Sequence, residues 1–197
     1  MSKAPESWRL FIAIELPQTI RHKIKEHIDR LRTALPDVRA SWTRADNLHL
    51  TLKFLDDTPV SRVESLSQAL LRAAKLAAPF DLVIQDCGVF PPRGKPNVLW
   101  IGTHASGVLP SEAILSLYRA IEDECVKVGF DRDKRSFHPH LTIARLRNPK
   151  GARELAELHQ SIGFEPVSLK VAEVCLIRSE LSSAGSRYTA IARHELG

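Results

Sequence analysis

The sequence holds little cysteine: three residues in 197, Cys87, Cys125 and Cys175, far apart and odd in number. Such a set is no disulfide framework, and without a Cys-x-x-Cys pair it gives no zinc motif. The three read as small buried hydrophobes in a reducing compartment. No apolar run approaches the ~20 residues that a membrane helix needs. Residues Met1 to Glu6 are short and polar, without the apolar stretch of a signal peptide. A soluble, cytoplasmic protein with no membrane partner is therefore expected.

An apolar fraction of 44% is ordinary for a globular protein, so a real core is expected. The 197 residues suffice for one sizeable domain or for two small lobes sharing a core. A formal charge of +5, with a pI near 9.3, favours polyanions, RNA among them, through steering and counterion release.

The chain also repeats itself. Leu10 to Ile14 is an apolar run of strand length, and Pro17 then leads a helical pattern through Ile20, Ile24, Ile28 and Leu31. After Pro36 comes the alternating segment Leu48 to Phe54, a helical pattern from Val63 to Ala74, and a strand at Phe80–Ile84. The second half follows the same order. Val98–Ile101 reads as a strand, Pro110 and Ser111 lead a helix through Ile114, Leu117, Ile121 and Val128, and Gly129 stops it. His140–Ile143 alternates again, residues 151–161 read as a helix, and Val167–Ile177 and Tyr188–Ala192 read as strands. One covered and one open face per strand is the pattern of antiparallel sheets. The expected fold is α+β and bilobal, a pseudo-two-fold duplication with two antiparallel sheets flanked by helices. The lobes are expected from repeats of about 8–90 and 96–178, with a C-terminal strand near 187–193, all within one domain spanning 1–197.

The alternating strands each carry a His-x-Thr tripeptide, His49-Leu50-Thr51 and His140-Leu141-Thr142, 91 positions apart. Alternation puts each imidazole and hydroxyl on one face, with leucine on the other. A threonine hydroxyl can donate to a phosphate oxygen, and an imidazole can exchange a proton near pH 7. A single His-x-Thr has almost no specificity. Two at matching places in a duplicated plan predict two histidines on opposite sides of one phosphate. Opening a cyclic phosphodiester needs such a pair, one group taking a proton from water while the other protonates the departing ribose oxygen. Thr51 and Thr142 would clamp the phosphoryl oxygens. The scheme needs no metal and no cofactor.

The segments Leu10–Ile14, Trp42-Thr43-Arg44, Asn47–Leu55, Pro96–Trp100, Phe137–Arg145 and Arg178–Leu181, followed by Gly185 and Tyr188, stand in an order that resembles a known family. It is the two-histidine phosphoesterase superfamily, and within it the LigT-like RNA 2′,3′-cyclic phosphodiesterases. The resemblance implies a central cleft between the lobes and hydrolysis of a terminal 2′,3′-cyclic phosphate to a 2′-phosphomonoester. It implies His49 as proton donor to the leaving 3′-oxygen and His140 as proton acceptor activating water. The residues alone leave these roles open, because a pseudo-symmetric site allows either. The partners implied are RNA ends bearing the cyclic phosphate, tRNA fragments among them, or small cyclic nucleotides, met by a monomer. Joining of RNA halves through a 2′,5′ linkage is the alternative activity, and an RNA-end-binding module without turnover is another.

Other residues carry narrower expectations. Lys53 should share the face of His49 and could bind phosphate. Strict alternation puts Arg145 opposite His140, so a phosphate role for Arg145 requires a bulge or strand end near Ala144. Trp42 could stack a base or belong to the core, and Arg93 and Lys95 lie in a Pro/Gly loop that could engage RNA or be a solvated turn. His138 lies one step from His140 with no third ligand, which suits a supporting role better than a metal pair. Along the first helix His22 and His27 read as a solvated face, and His104, His159 and His194 have no chemical partner in sequence. Arg30, Arg32 and Arg39 read as surface charge.

Overall fold

The computed structural model describes residues 6–104, 112–183 and 185–197. The elements run β1 (Ser7–Glu15), α1 (Gln18–Ala34), β2 (Ser41–Trp42), β3 (His49–Pro59), α2 (Val63–Lys75), β4 (Phe80–Phe90) and β5 (Val98–His104). They continue with α3 (Glu112–Lys127), β6 (His140–Arg145), α4 (Ala152–Ile162), β7 (Val167–Val171), β8 (Glu173–Ser182) and β9 (Gly185–Glu195). Pro110, Ser111 and the side chain of His104 lie outside the described residues.

Two antiparallel sheets form, one in the order β3-β1-β8-β9 and the other β2-β6-β5-β4-β7. Their membership does not follow the expected division at residues 90 and 96. The last strand of the first half, β4, pairs with β5 and β7 in the second sheet. In return β8 crosses to pair with β1 in the first. The expected strand Val167–Ile177 is accordingly two strands, broken at Ala172, with β7 in one sheet and β8 in the other. Periodicity cannot register this break, because both pieces alternate and only their partners differ.

The helices are exchanged in the same way. Helices α2 and α3 pack on each other, α2 against β8 and β9 and α3 against β3. On the other sheet α4 packs against β4 and touches α1. Each sheet is thus covered by one helix from each half. The apolar stripes seen in the sequence are the faces that pack: Ile20, Ile24, Ile28 and Leu31 on α1, and Leu66, Leu70, Ala73 and Ala74 on α2, are all buried. The core runs continuously through both sheets and includes Leu50 and Leu141, the fully buried residues beneath the two histidines. Truncating either to alanine would cost about 2–5 kcal/mol by transfer and cavity formation.

Cys125 and Cys175 are buried and Cys87 is half-buried, all three as free thiols. Arg30, Arg32, Arg39 and His22 are exposed, as their sequence context suggests. No helix among the described residues is long and apolar enough to cross a membrane.

Candidate active site

Strands β3 and β6 face each other across a cleft of about 410 Å³ whose lining includes His49, Thr51, His140, Thr142 and Arg145. The two histidines are held alike. His49 Nδ1 lies 2.7 Å from the carbonyl oxygen of Asn47, and His140 Nδ1 lies 2.6 Å from that of His138. A carbonyl only accepts, so each Nδ1 carries the proton and donates it. Each Nε2 is left with its lone pair for the cleft. The sequence hides these two supports, because the acceptor in each case is a backbone carbonyl two residues upstream and any side chain would serve. His138 supports His140 through its backbone, and its own ring lines the cleft.

Aromatic rings fix each imidazole. Phe11 lies 4.7 Å from the His49 ring and Tyr188 meets it edge-on at 5.3 Å. Phe90 meets the His140 ring edge-on at 5.0 Å, with Trp100 at 6.3 Å. The Trp100 indole crosses directly over Gly88, where a Cβ would stand 2.0 Å from its ring, so β4 requires glycine there. Asn47 Nδ2 donates to the Ser186 carbonyl at 2.8 Å, which ties the β8–β9 hairpin carrying Tyr188 to the turn that orients His49.

Burial lowers the pKa of both histidines from 6.5. For His49 the Asn47 carbonyl opposes the shift, while the charges of Arg21 and His140 add to it and that of Glu15 opposes it. For His140 the His138 carbonyl opposes it, and Arg145 and His138 add to it. Both rings are therefore neutral bases at pH 7 until a bound anion restores the protonated form.

A bulge interrupts each histidine strand at the same place. Across β1 and β3, Ile12 pairs with Lys53 and Ala13 with Thr51, leaving Leu52 as the extra residue. Across β5 and β6, Leu99 pairs with Ala144 and Trp100 with Thr142, leaving Ile143 extra. Each bulge reverses the alternation beyond it. On β6 this turns Arg145 to the face of His140, where it is exposed and lines the cleft. On β3 it overturns the expectation for Lys53. The ammonium is turned among the helices, 2% exposed, with Glu122 Oε1 at 2.7 Å and the Asp131 carbonyl at 2.8 Å. Two of the three ammonium donors of Lys53 are thereby taken up inside the fold, and Phe54, 51% exposed, stands on the cleft face beyond the bulge.

Trp42 follows the core alternative rather than the base-stacking one. It pairs with Ala144 at the sheet edge and packs against the core, outside the cleft lining. Its neighbour Thr43 reaches the cleft instead and donates to the Thr142 carbonyl at 2.9 Å. Arg93 and Lys95 are exposed on a loop outside the lining. Arg178 stacks over Trp8 at 4.3 Å rather than facing the site.

With this geometry in place, the likeness to known proteins becomes informative. The family model described as the 2′-5′ RNA ligase superfamily matches residues 20–182. The chain belongs to this superfamily. A relative from Methanothermobacter thermautotrophicus, named RNA 2′,3′-cyclic phosphodiesterase, is 34% identical over 92% of this chain and 95% of its own. The protein of that name from Escherichia coli K12 is 31% identical over 97% and 98%. Among solved structures, E. coli LigT complexed with 3′-AMP superposes with a TM-score of 0.73 at 27% identity, covering 97% of this chain and 99% of that one. The superfamily match and the two facing His-x-Thr strands thus describe the same region of the chain.

Proposed function

We propose that the protein hydrolyses 2′,3′-cyclic phosphate ends of RNA to 2′-phosphomonoesters, by acid–base catalysis between His49 and His140. The observation that carries this reading is the matched pair itself: two imidazoles in one cleft, each with Nδ1–H held on a backbone carbonyl and Nε2 left for substrate. Binding alone needs no such proton-transfer pair. The names of the relatives support the same reaction and the same substrate class.

In this scheme His140 takes a proton from the attacking water, and His49, protonated, delivers one to the departing 3′-oxygen. Thr51 and Thr142 donate to the non-bridging oxygens as charge builds on them, with Arg145, which has no ion-pair partner among the described residues, supplying a cation that the bulge brings to the cleft face. Phe54 offers a flat apolar face for the adjoining base. Each sheet contains strands of both halves, which supports one indivisible domain and a site completed within a monomer. Fragments of tRNA are a substrate such a cleft could take, as are small cyclic nucleotides.

The test is incubation of the purified protein with a nucleoside 2′,3′-cyclic phosphate, followed by separation of the 2′- and 3′-monophosphates. A 2′-phosphate product made by the wild type, and lost in both His49→Ala and His140→Ala, is expected. Full turnover by either variant would sink the two-histidine mechanism. The superfamily's name favours a second reading, joining of RNA halves through a 2′,5′ linkage, in which a 5′-hydroxyl takes the place of water, forming the bond to phosphorus as the bond to the 3′-oxygen breaks. Supplying a 5′-hydroxyl RNA in excess and looking for joined product separates the two.

A further inference from the structure

The mechanism leaves a second histidine pair unused. His27 of α1 and His159 of α4 are 3% and 0% exposed, which overturns the solvated face expected for His27 and gives His159 a partner that its sequence context did not show. They lie on the helix-covered side of the second sheet, where Cys87 of β4 joins them. His27 Nε2, His159 Nδ1 and Cys87 Sγ all fall within 4.8 Å of one another. The two nitrogens are 2.9 Å apart, and the sulfur is 3.9 Å from His27 Nε2.

Two details aim these atoms. His159 Nε2 sits 3.0 Å from the Trp100 carbonyl, so that nitrogen carries the proton and Nδ1 presents a lone pair to the cluster. An imidazole fixed through its far N–H on a backbone carbonyl, with the near nitrogen free to donate, is the usual arrangement of a metal-ligating histidine. The second detail is the irregularity of β4 between Gln85 and Cys87, where Asp86 has φ of 61°. It sets Cys87 opposite Ile101, on the helix side of the sheet.

We propose that His27, His159 and Cys87 form a binding site for a thiophilic metal ion of the zinc(II) class, separate from the cleft. Three protein ligands would leave a fourth position for water. With bonds of about 2.0 Å to nitrogen and 2.3 Å to sulfur, a tetrahedral ion spaces its nitrogens about 3.3 Å and nitrogen from sulfur about 3.5 Å. The nitrogens must part by about 0.4 Å, and the sulfur must close by about 0.4 Å on His27 Nε2 and by up to about 1.3 Å on His159 Nδ1, shifts that rotation of the Cys87 and imidazole side chains supplies. On binding, the proton shared between the rings moves to the other nitrogen of His27 and the thiol proton leaves to solvent. One proton is thus released per ion. The ion would join α1 and β4 of the first half to α4 of the second.

The full-length protein, stripped by chelator dialysis, is titrated with zinc(II) against a chromophoric chelator and, separately, with cobalt(II). One ion per chain is expected, with a near-ultraviolet thiolate-to-cobalt band and a melting temperature that rises with zinc. Cys87→Ser should abolish the band, and His159→Gln should weaken zinc binding at least about tenfold. Cys125→Ser and His49→Ala should leave both unchanged. The proposal is overturned if wild-type protein shows no thiolate band and binds well below one ion per chain. Binding that survives Cys87→Ser, or that is lost in His49→Ala instead, overturns it equally. The wild-type band is decisive even where a variant folds poorly.

Discussion

Strands β3 and β6 do the same work with different residues, and their comparison separates what symmetry imposes from what the site needs. Both present His-x-Thr to the cleft, both hold the imidazole by a carbonyl two residues upstream, and both bulge at the third position after the histidine. Beyond the bulge they part. The fourth position is Lys53 on one strand and Ala144 on the other, both turned inward; the fifth is Phe54 on one and Arg145 on the other, both turned to the cleft. The duplicated frame therefore supplies two matched histidines, the pair on which the proposed acid–base chemistry rests, and the bulges dress it asymmetrically. One side is aromatic and the other cationic, as a nucleotide with a base at one end and a phosphate at the other would require.

The comparison breaks hardest at the histidines. His49→Ala and His140→Ala should each lower kcat for cyclic phosphate opening by about 10²–10⁴-fold, the usual worth of one proton transfer. The double variant should lose little more than the worse single one. Steady-state kinetics checks this, and a mild loss in only one variant would show that the likeness of the two strands is structural alone.

Lys53 should matter to the fold. Lys53→Met leaves Glu122 buried without its cation, at a cost of about 3–5 kcal/mol in urea unfolding. Adding Glu122→Leu should restore most of it, with cyclic phosphate turnover close to wild type. Retained stability in Lys53→Met alone would contradict the burial of this pair.

Next come the residues that differ. Arg145→Ala removes a charge-assisted contact of about 1.5–3 kcal/mol, a loss of roughly 10–100-fold in kcat/KM. Phe54→Ala should chiefly raise KM for nucleoside substrates, by about tenfold, and do little where the substrate lacks a base. Equal effects of the two variants on all substrates would remove the division of labour.

The smallest effect concerns pH. Burial lowers both histidines below 6.5, so in the free enzyme the base limb and the acid limb of kcat/KM both lie under that value. As pH rises through the lowered pKa the base becomes available, and further rise deprotonates the acid. The bell should therefore peak below pH 6.5, reporting pKa values that belong to the pair. Arg145→Ala withdraws a positive charge that holds His140 down, and should move one limb to higher pH. A profile unchanged in Arg145→Ala would place that charge too far away to act.

Much of this was legible in the residues. Helical spacing marked Ile20, Ile24, Ile28 and Leu31 as a packing face, and strict alternation marked His49 and His140 as open-face residues. The same spacing puts His27 on the apolar stripe, three positions after Ile24, yet a histidine there with no visible partner reads as solvated. Its partner His159 is 132 positions away, and only packing of α1 beside α4 joins them.

What the sequence by itself determined is the pair of His-x-Thr strands, their duplication, and the face of each strand on which its histidine and threonine lie. These depend on local periodicity, which every residue of the chain reports directly. Only the tertiary structure decided which strands share a sheet, that Lys53 turns inward while Arg145 turns outward, and that two distant histidines meet under the second sheet. A bulge or a strand exchange is set by hydrogen bonds to a partner strand far along the chain. One extra residue in that pairing moves every side chain beyond it to the other face.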